Sequence, residues 1–199
     1  QGNSSVAIGR SSGQESQRQF AIAIGYNSGW SNQDSNAIAL GYQAGYSGAQ
    51  GCNAIALGTQ AGRQSQASNS ISIGYSAGSI DQSDECIAIG TTAGDTNQGR
   101  YSIAMGYQSG IFYQHSNSIA IGRNAGETSQ RSTSIAMGHQ AGRLSQNAIS
   151  IAIGHQAGVS NQGGQSVAIG YLTGFSQQGG SSLAIGRESG YTSQGIYAV

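Results

Sequence analysis

The chain has 199 residues, of which 33 are glycine and none is proline, and only 8% of its residues are charged. Its formal net charge is zero and its basic residues are scattered, which excludes a basic surface for nucleic acid. Glycine does not recur every third residue, and no run of about 18 apolar residues occurs, so collagen and a membrane-spanning helix are also excluded.

A sixteen-residue unit repeats along the chain from its first residues to its last. The unit reads Ser/Ala-Ile-Ala-Ile-Gly, then two variable residues, a small residue and a second Gly, with Gln four residues later. Its first glycine falls at Gly9, Gly25, Gly41, Gly58, Gly74, Gly90, Gly106, Gly122, Gly138, Gly154, Gly170 and Gly186. We therefore expect one repeat domain over residues 1–199, uncapped at both ends and part of a longer chain or filament.

The first half of each unit alternates large apolar and small residues, as in Ser70-Ile71-Ser72-Ile73-Gly74. This period of two is typical of a β-strand, and the polar, glycine-containing remainder is typical of turns. The pattern predicts an all-β fold, a parallel β-solenoid of about twelve 16-residue coils that self-associates into a fibre. The extra residue near Ala49 is expected to bulge without shifting the columns of equivalent residues.

Two columns of aliphatic residues, three and one before the first glycine, are predicted to form the core. The predicted core residues are Ile22, Ile24, Ile71, Ile73, Ile87, Ile89, Ile119, Ile121, Ile151 and Ile153.

The alanine between these two columns is predicted to face the other way, in a flat strip available for self-association. The strip comprises Ala23, Ala39, Ala56, Ala88, Ala104, Ala120, Ala136, Ala152 and Ala168.

A glutamine recurs at one position of every unit, and stacked amides can hydrogen-bond from coil to coil. The predicted structural ladder includes Gln33, Gln66, Gln82, Gln98, Gln114, Gln130, Gln146, Gln162 and Gln178.

Few residues carry reactive chemistry. His139 and His155 occupy equivalent positions and should stack about 4.8 Å apart, as a surface ladder or, less favoured, as a metal-binding pair. Asp81, Asp84 and Glu85 share one turn, for which a solvated loop is favoured over a weak calcium site. No nucleophile or phosphate-binding motif occurs, so we predict no enzyme, no cofactor and no metal site.

The remaining candidate functional residues are the cysteines and the aromatic residues. Cys52 and Cys86 lie about two coils apart, too far for a disulfide within the chain. Aromatic residues recur after the second glycine and could bind sugars or stack on one another; they are Trp30, Tyr46, Phe175 and Tyr191.

Units such as Asn117-Ser118-Ile119-Ala120-Ile121-Gly122 resemble the head repeats of trimeric autotransporter adhesins and the repeats of viral tail-fibre-like proteins. The resemblance implies a left-handed parallel β-roll that trimerises and binds matrix or host surfaces. The units here are longer than the family's, with an added Ala-Gly and Gln.

These observations favour a structural protein of an extracellular or virion fibre, located outside the cell or on the virion surface. Its expected partner is itself, as a trimer or an end-to-end filament, with glycans or a surface as further partners. The alternatives are an ice-binding rod and a carbohydrate-binding adhesin rod.

Overall fold

The structure is a computed structural model that describes residues 1–199. The chain divides into two compact units, Gln1–Tyr101 and Ser102–Val199. Every regular element is a short β-strand, and no helix is long and apolar enough to cross a membrane. The assignment of residues 1–199 to one domain stays a prediction.

The first unit contains ten strands in two parallel sheets. The main sheet contains β1 (Val6–Ile8), β2 (Ile22–Ile24), β3 (Ile38–Leu40), β5 (Ile55–Leu57), β7 (Ile71–Ile73) and β9 (Ile87–Ile89), in that order. The second sheet contains β4 (Ser47–Gln50), β6 (Gln64–Gln66), β8 (Ile80–Gln82) and β10 (Thr96–Gln98).

The second unit repeats this plan. Its main sheet contains β11 (Ile103–Met105), β12 (Ile119–Ile121), β13 (Ile135–Met137), β15 (Ile151–Ile153), β17 (Val167–Ile169) and β18 (Leu183–Ile185). The strands β14 (Leu144–Gln146) and β16 (Ser160–Gln162) form its other sheet.

The main-sheet strands of a unit pair with the equivalent strand of the next coil, sixteen residues along the chain, or seventeen between β3 and β5. In β2 and β3, Ile22 pairs with Ile38 and Ala23 with Ala39. The predicted all-β parallel solenoid with a sixteen-residue period is therefore confirmed in both units. The one inserted residue is absorbed as a register shift within β4, after which Gln50 still pairs with Gln66.

Tight turns join the strands, and they depend on glycine at two places. Gly25 has φ +129, and a Cβ there would lie 2.5 Å from the carbonyl oxygen of Gly41 in the next coil. Gly29 has φ +52, and its Cβ would lie 2.8 Å from Oε1 of Gln33. Both positions therefore combine a left-handed backbone with a close approach that excludes a side chain.

Left-handed backbone is not confined to glycine. In one coil, Asn27, Asn32 and Asn36 have φ of 53, 51 and 60, and equivalent residues of other coils repeat these values. Asparagine tolerates this region because its side chain bonds locally, but Phe20, Tyr101 and Ile149 also adopt it.

The interior of each unit contains small residues and one long polar side chain per coil. Gln33 is fully buried, and its Nε2 donates to the carbonyl oxygens of Ile22 (2.8 Å) and Ala37 (3.2 Å). Its Oε1 accepts from Nε2 of Gln17 at 3.0 Å. The largest fully buried side chains of the molecule are glutamines of this column.

The glutamine column is held mainly by the backbone. In every coil from Gln17 to Gln194, Nε2 donates to the carbonyl of the first strand residue. The pairs joined by direct amide-to-amide bonds include Gln17 with Gln33, Gln50 with Gln66, Gln82 with Gln98, and Gln114 with Gln130.

The predicted sidedness of the Ile-Ala-Ile strands is wrong. The alanine strip is fully buried: Ala23, Ala39, Ala56, Ala88, Ala104, Ala120, Ala136, Ala152 and Ala168 are each 0% exposed. The residues assigned to the core face outward, half-buried or exposed: Ile22, Ile24, Ile71, Ile73, Ile87, Ile89, Ile119, Ile121, Ile151 and Ile153.

The reason for this reversal is the width of the coil. A Cβ on Gly29 would lie 3.1 Å from the Cβ of Ala23 and 2.8 Å from Oε1 of Gln33. An isoleucine does not fit at position 23 in this space, because a close-packed interior has no room for its additional atoms. The narrow coil thus accommodates the small residue of each strand inside, and the two aliphatic residues face outward.

Candidate interaction surfaces

An aliphatic stripe covers the outer face of each unit's main sheet. We use this name for the first and third residues of the six main-sheet strands in a unit, which are all Val, Ile, Leu or Met. In the second unit, Met105, Met137 and Ile153 are 37%, 38% and 36% exposed, and Ile185 is 59% exposed. Contiguous apolar surface of this extent is rare on monomers and typically marks an interaction site.

The stripe is flat and uniform because the strands are in register. In the second unit, Ile119 lies beside Ile135, and Ile121 lies beside Met137. No charged or polar residue interrupts either column of the stripe. Such a surface offers shape and apolar area but no hydrogen-bonding group, so it suits another apolar surface rather than a polar small molecule.

A ladder of rings follows the first glycine of successive coils in the second unit. The rings of His139 and His155 stack with centroids 4.9 Å apart, close to the predicted spacing, and His155 stacks on Tyr171 at 5.1 Å. The guanidinium of Arg187 lies 5.6 Å from the centre of the Tyr171 ring. Desolvation lowers the pKa of His139, and the neighbouring His155 and Arg123 lower it further.

The histidine pair has no further ligand beside it. No group of three or more His, Cys, Asp or Glu side chains is placed to hold a metal ion. The planes of the two imidazole rings lie 25° apart. The arrangement is therefore a stacked surface ladder.

The aromatic turn residues also stack on each other. Trp30 and Tyr46 lie 5.4 Å apart between ring centres, and Phe175 and Tyr191 lie 5.1 Å apart. Nε1 of Trp30 donates to Oε1 of Gln14 in the preceding coil at 3.1 Å. Within each pair, one face of each ring is covered by its partner.

The acidic turn of the first unit is partly neutralised. Nη2 of Arg100 lies 2.6 Å from Oδ2 of Asp84, and the backbone amide of Ser68 donates to Oδ1 of Asp84 at 3.2 Å. The bond from Arg100 lowers the pKa of Asp84, and that from Ser68 adds to it. Asp84 thus links coils along the solenoid, which supports the solvated loop predicted for this turn over a calcium site.

Both cysteines are present as thiols. Cys86 is buried in a column otherwise filled by Ser and Ala, and its Sγ lies 2.9 Å from the carbonyl oxygen of Gly99. Cys52 is partly exposed, and a hydrogen bond with Asp34 raises the pKa of its thiol. A raised thiol pKa lowers the thiolate fraction at neutral pH, so Cys52 is not an activated nucleophile.

Comparison with known proteins agrees with this architecture. Residues 150–173 match the family model of the YadA head domain repeat, in two copies. No curated protein matches the chain. The matched segment spans β15, β16 and β17, and it includes the two Ile/Val-Ala-Ile-Gly strands of adjacent coils. The chain is thus similar to the head repeats of trimeric autotransporter adhesins, as its sequence indicated.

Proposed function

We propose that this chain is the structural, adhesin-like part of a surface fibre and that it self-associates through its aliphatic stripe. The observation that carries the proposal is the outward orientation of the aliphatic columns in a solenoid whose interior is already filled. Two such stripes can cover each other without rearrangement of either coil. Association would remove from water the apolar surface that a single chain leaves exposed, at about 25 cal/mol per Å².

The proposal replaces the alanine strip with the aliphatic stripe as the contact surface. It places the protein outside the cell or on a virion surface, in keeping with the adhesin heads that it resembles. It assigns no catalysis, because the exposed groups are structural ladders and apolar columns. The ice-binding alternative loses support, since the strip of small residues on which it depended is buried.

The oligomeric state of matched variants tests the proposal. The variant Ile121→Gln/Met137→Gln/Ile153→Gln places three amides in the stripe, while Leu144→Gln changes one residue of β14, outside the stripe. Met137 and Leu144 are equally exposed, at 38% each, so Leu144→Gln controls for the removal of one exposed apolar residue.

We expect sedimentation equilibrium to show an oligomer for the unmodified chain and for Leu144→Gln, and a monomer for the stripe variant. Far-ultraviolet circular dichroism would verify that the variant keeps its strands. A monomeric unmodified chain at micromolar concentration, or an unchanged oligomer for the stripe variant, would contradict the proposal.

A further inference from the structure

A groove runs along one flank of the second unit, away from the columns of the aliphatic stripe. Two adjoining cavities of about 480 and 470 Å³ share Arg131 and Ala148 in their walls. Tyr113, His115, Ser129 and Ser132 complete the lining of the first cavity. The second cavity is also lined by Asn147, Ile149, Gly164, Gln165, Gly180, Ser181 and Ile196.

The floor of the groove consists of small residues, at positions where the backbone could carry larger side chains. Ala148, Gly164 and Gly180 occupy the same position in three successive coils, where the first unit has residues such as Ser68 and Asp84. Neither glycine has a left-handed φ. A Cβ on Gly164 or Gly180 would approach its nearest neighbour only to 3.3 or 3.4 Å. The groove therefore exists because these positions lack larger side chains. The local backbone geometry does not require glycine at Gly164 or Gly180.

The groove carries uncompensated positive charge. Arg131 is exposed and forms no ion pair, and His115 precedes it by one coil. No carboxylate lines either cavity. The equivalent arginine of the first unit, Arg18, lies 3.3 Å from Asp34 of the next coil. At the position corresponding to Asp34, the coil after Arg131 has Asn147.

The backbone along the groove is already hydrogen-bonded from coil to coil. The amides of Arg131, Asn147 and Gly163 donate to carbonyl oxygens of the next coil at 2.9, 3.1 and 2.8 Å. An added peptide strand would therefore find no free main-chain partners of the kind that β-strand addition requires. A ligand must instead use side chains: the guanidinium, side-chain amides and the ring of Tyr113, which is 56% exposed.

From this combination we infer that the groove binds an acidic glycan, an extended saccharide that carries carboxylate groups. The guanidinium of Arg131 binds a carboxylate through paired N–H donors. The glycine and alanine floor lets sugar rings approach the backbone closely, and the Tyr113 ring packs against a ring face. The inference concerns ligand binding by one unit and does not depend on self-association through the stripe.

Binding of defined oligosaccharides to the full chain tests this site. The probe is an unsulfated octasaccharide that contains uronic acid, measured by titration calorimetry against the same octasaccharide with its carboxyl groups reduced. Arg131→Gln removes the charge, and Asn147→Asp supplies the missing partner while Arg131 stays in place. Gly180→Gln narrows the floor, and Arg18→Gln is the matched control in the first unit.

We expect the acidic octasaccharide to bind the unmodified chain and Arg18→Gln equally, and the reduced probe at least tenfold more weakly. Arg131→Gln, Asn147→Asp and Gly180→Gln should each weaken binding at least tenfold. Equal binding by Arg131→Gln, equal binding of the reduced probe, or no binding at all would overturn the inference. Tighter binding of a polyglutamate peptide would also overturn it, in favour of an acidic peptide. Sedimentation of the same variants would show whether any loss arises from altered assembly.

Discussion

Replacement of Gln33 by alanine should strongly destabilise the first unit. The side chain is 0% exposed and forms three hydrogen bonds, two donated to backbone carbonyls and one accepted from Gln17. Hydrogen bonds contribute about 1 kcal/mol each in net terms. The one lost methylene group, Cγ, contributes about 0.8 kcal/mol. We therefore expect Gln33→Ala to lower the free energy of unfolding by about 4 kcal/mol, within the range of buried large-to-small changes.

Two further variants separate the causes of this loss. Gln33→Met keeps most of the buried volume but removes the amide, so it should cost about 2–3 kcal/mol through the three unmade hydrogen bonds. Gln19→Ala is the control, because Gln19 is exposed and surface changes typically stay within about 0.5 kcal/mol. Denaturant unfolding followed by circular dichroism, at one fixed chain concentration, would measure all three.

A loss below about 1 kcal/mol for Gln33→Ala would refute the reasoning, since it would be smaller than one unmade buried hydrogen bond typically costs. An equal loss for Gln19→Ala would also refute it. That result would show that glutamine removal acts on the unfolded chain or on assembly, and not on the interior of the coil.

Two pH-dependent predictions concern the outer turns. The pKa of His139 is lowered in the folded chain, so unfolding takes up protons, and stability should fall as pH drops from about 7.5 through 6.5 and the lower folded pKa. In thermal unfolding, His139→Asn should weaken this dependence of stability on pH. An unchanged dependence would show that other groups cause it. Burial raises the pKa of Asp95, because the folded chain disfavours its ionised form. At a pH where Asp95 is ionised, it therefore lowers the stability of the fold. Asp95→Asn should therefore raise Tm at pH 7 and not at pH 3, and a lowered Tm at pH 7 would contradict this.

The repeat made the fold predictable, but it did not predict which face of each strand points into the coil. The spacing of Gly25 and Gly41 indicated one strand and one tight turn per sixteen residues, as observed. Alternation in Ile22-Ala23-Ile24 shows that the two strand faces differ, but it does not identify the inner one. The inner face is set by the cross-section of the coil, where Gly29 and Gln33 leave room only for a small residue at position 23.

The groove around Arg131 was not predictable by the same means. No motif connects Tyr113, Arg131 and Gly164, which lie in different coils and in different columns. The only signal in the sequence is a comparison of equivalent positions: Arg18 is followed sixteen residues later by Asp34, and Arg131 by Asn147. That difference can be interpreted as a missing ion-pair partner only when the coils are known to stack.

The left-handed backbone at Asn27, Asn32, Asn36 and their equivalents constrains how the chain can be made. An isolated coil would hold several residues in this disfavoured region with no neighbouring coil to compensate them, so it cannot persist alone. A folded coil offers a row of backbone amides and carbonyls. Hydrogen bonds to this row stabilise the same conformation in the adjacent sixteen residues. Each coil therefore depends on its neighbour for a backbone conformation that its own sixteen residues do not favour.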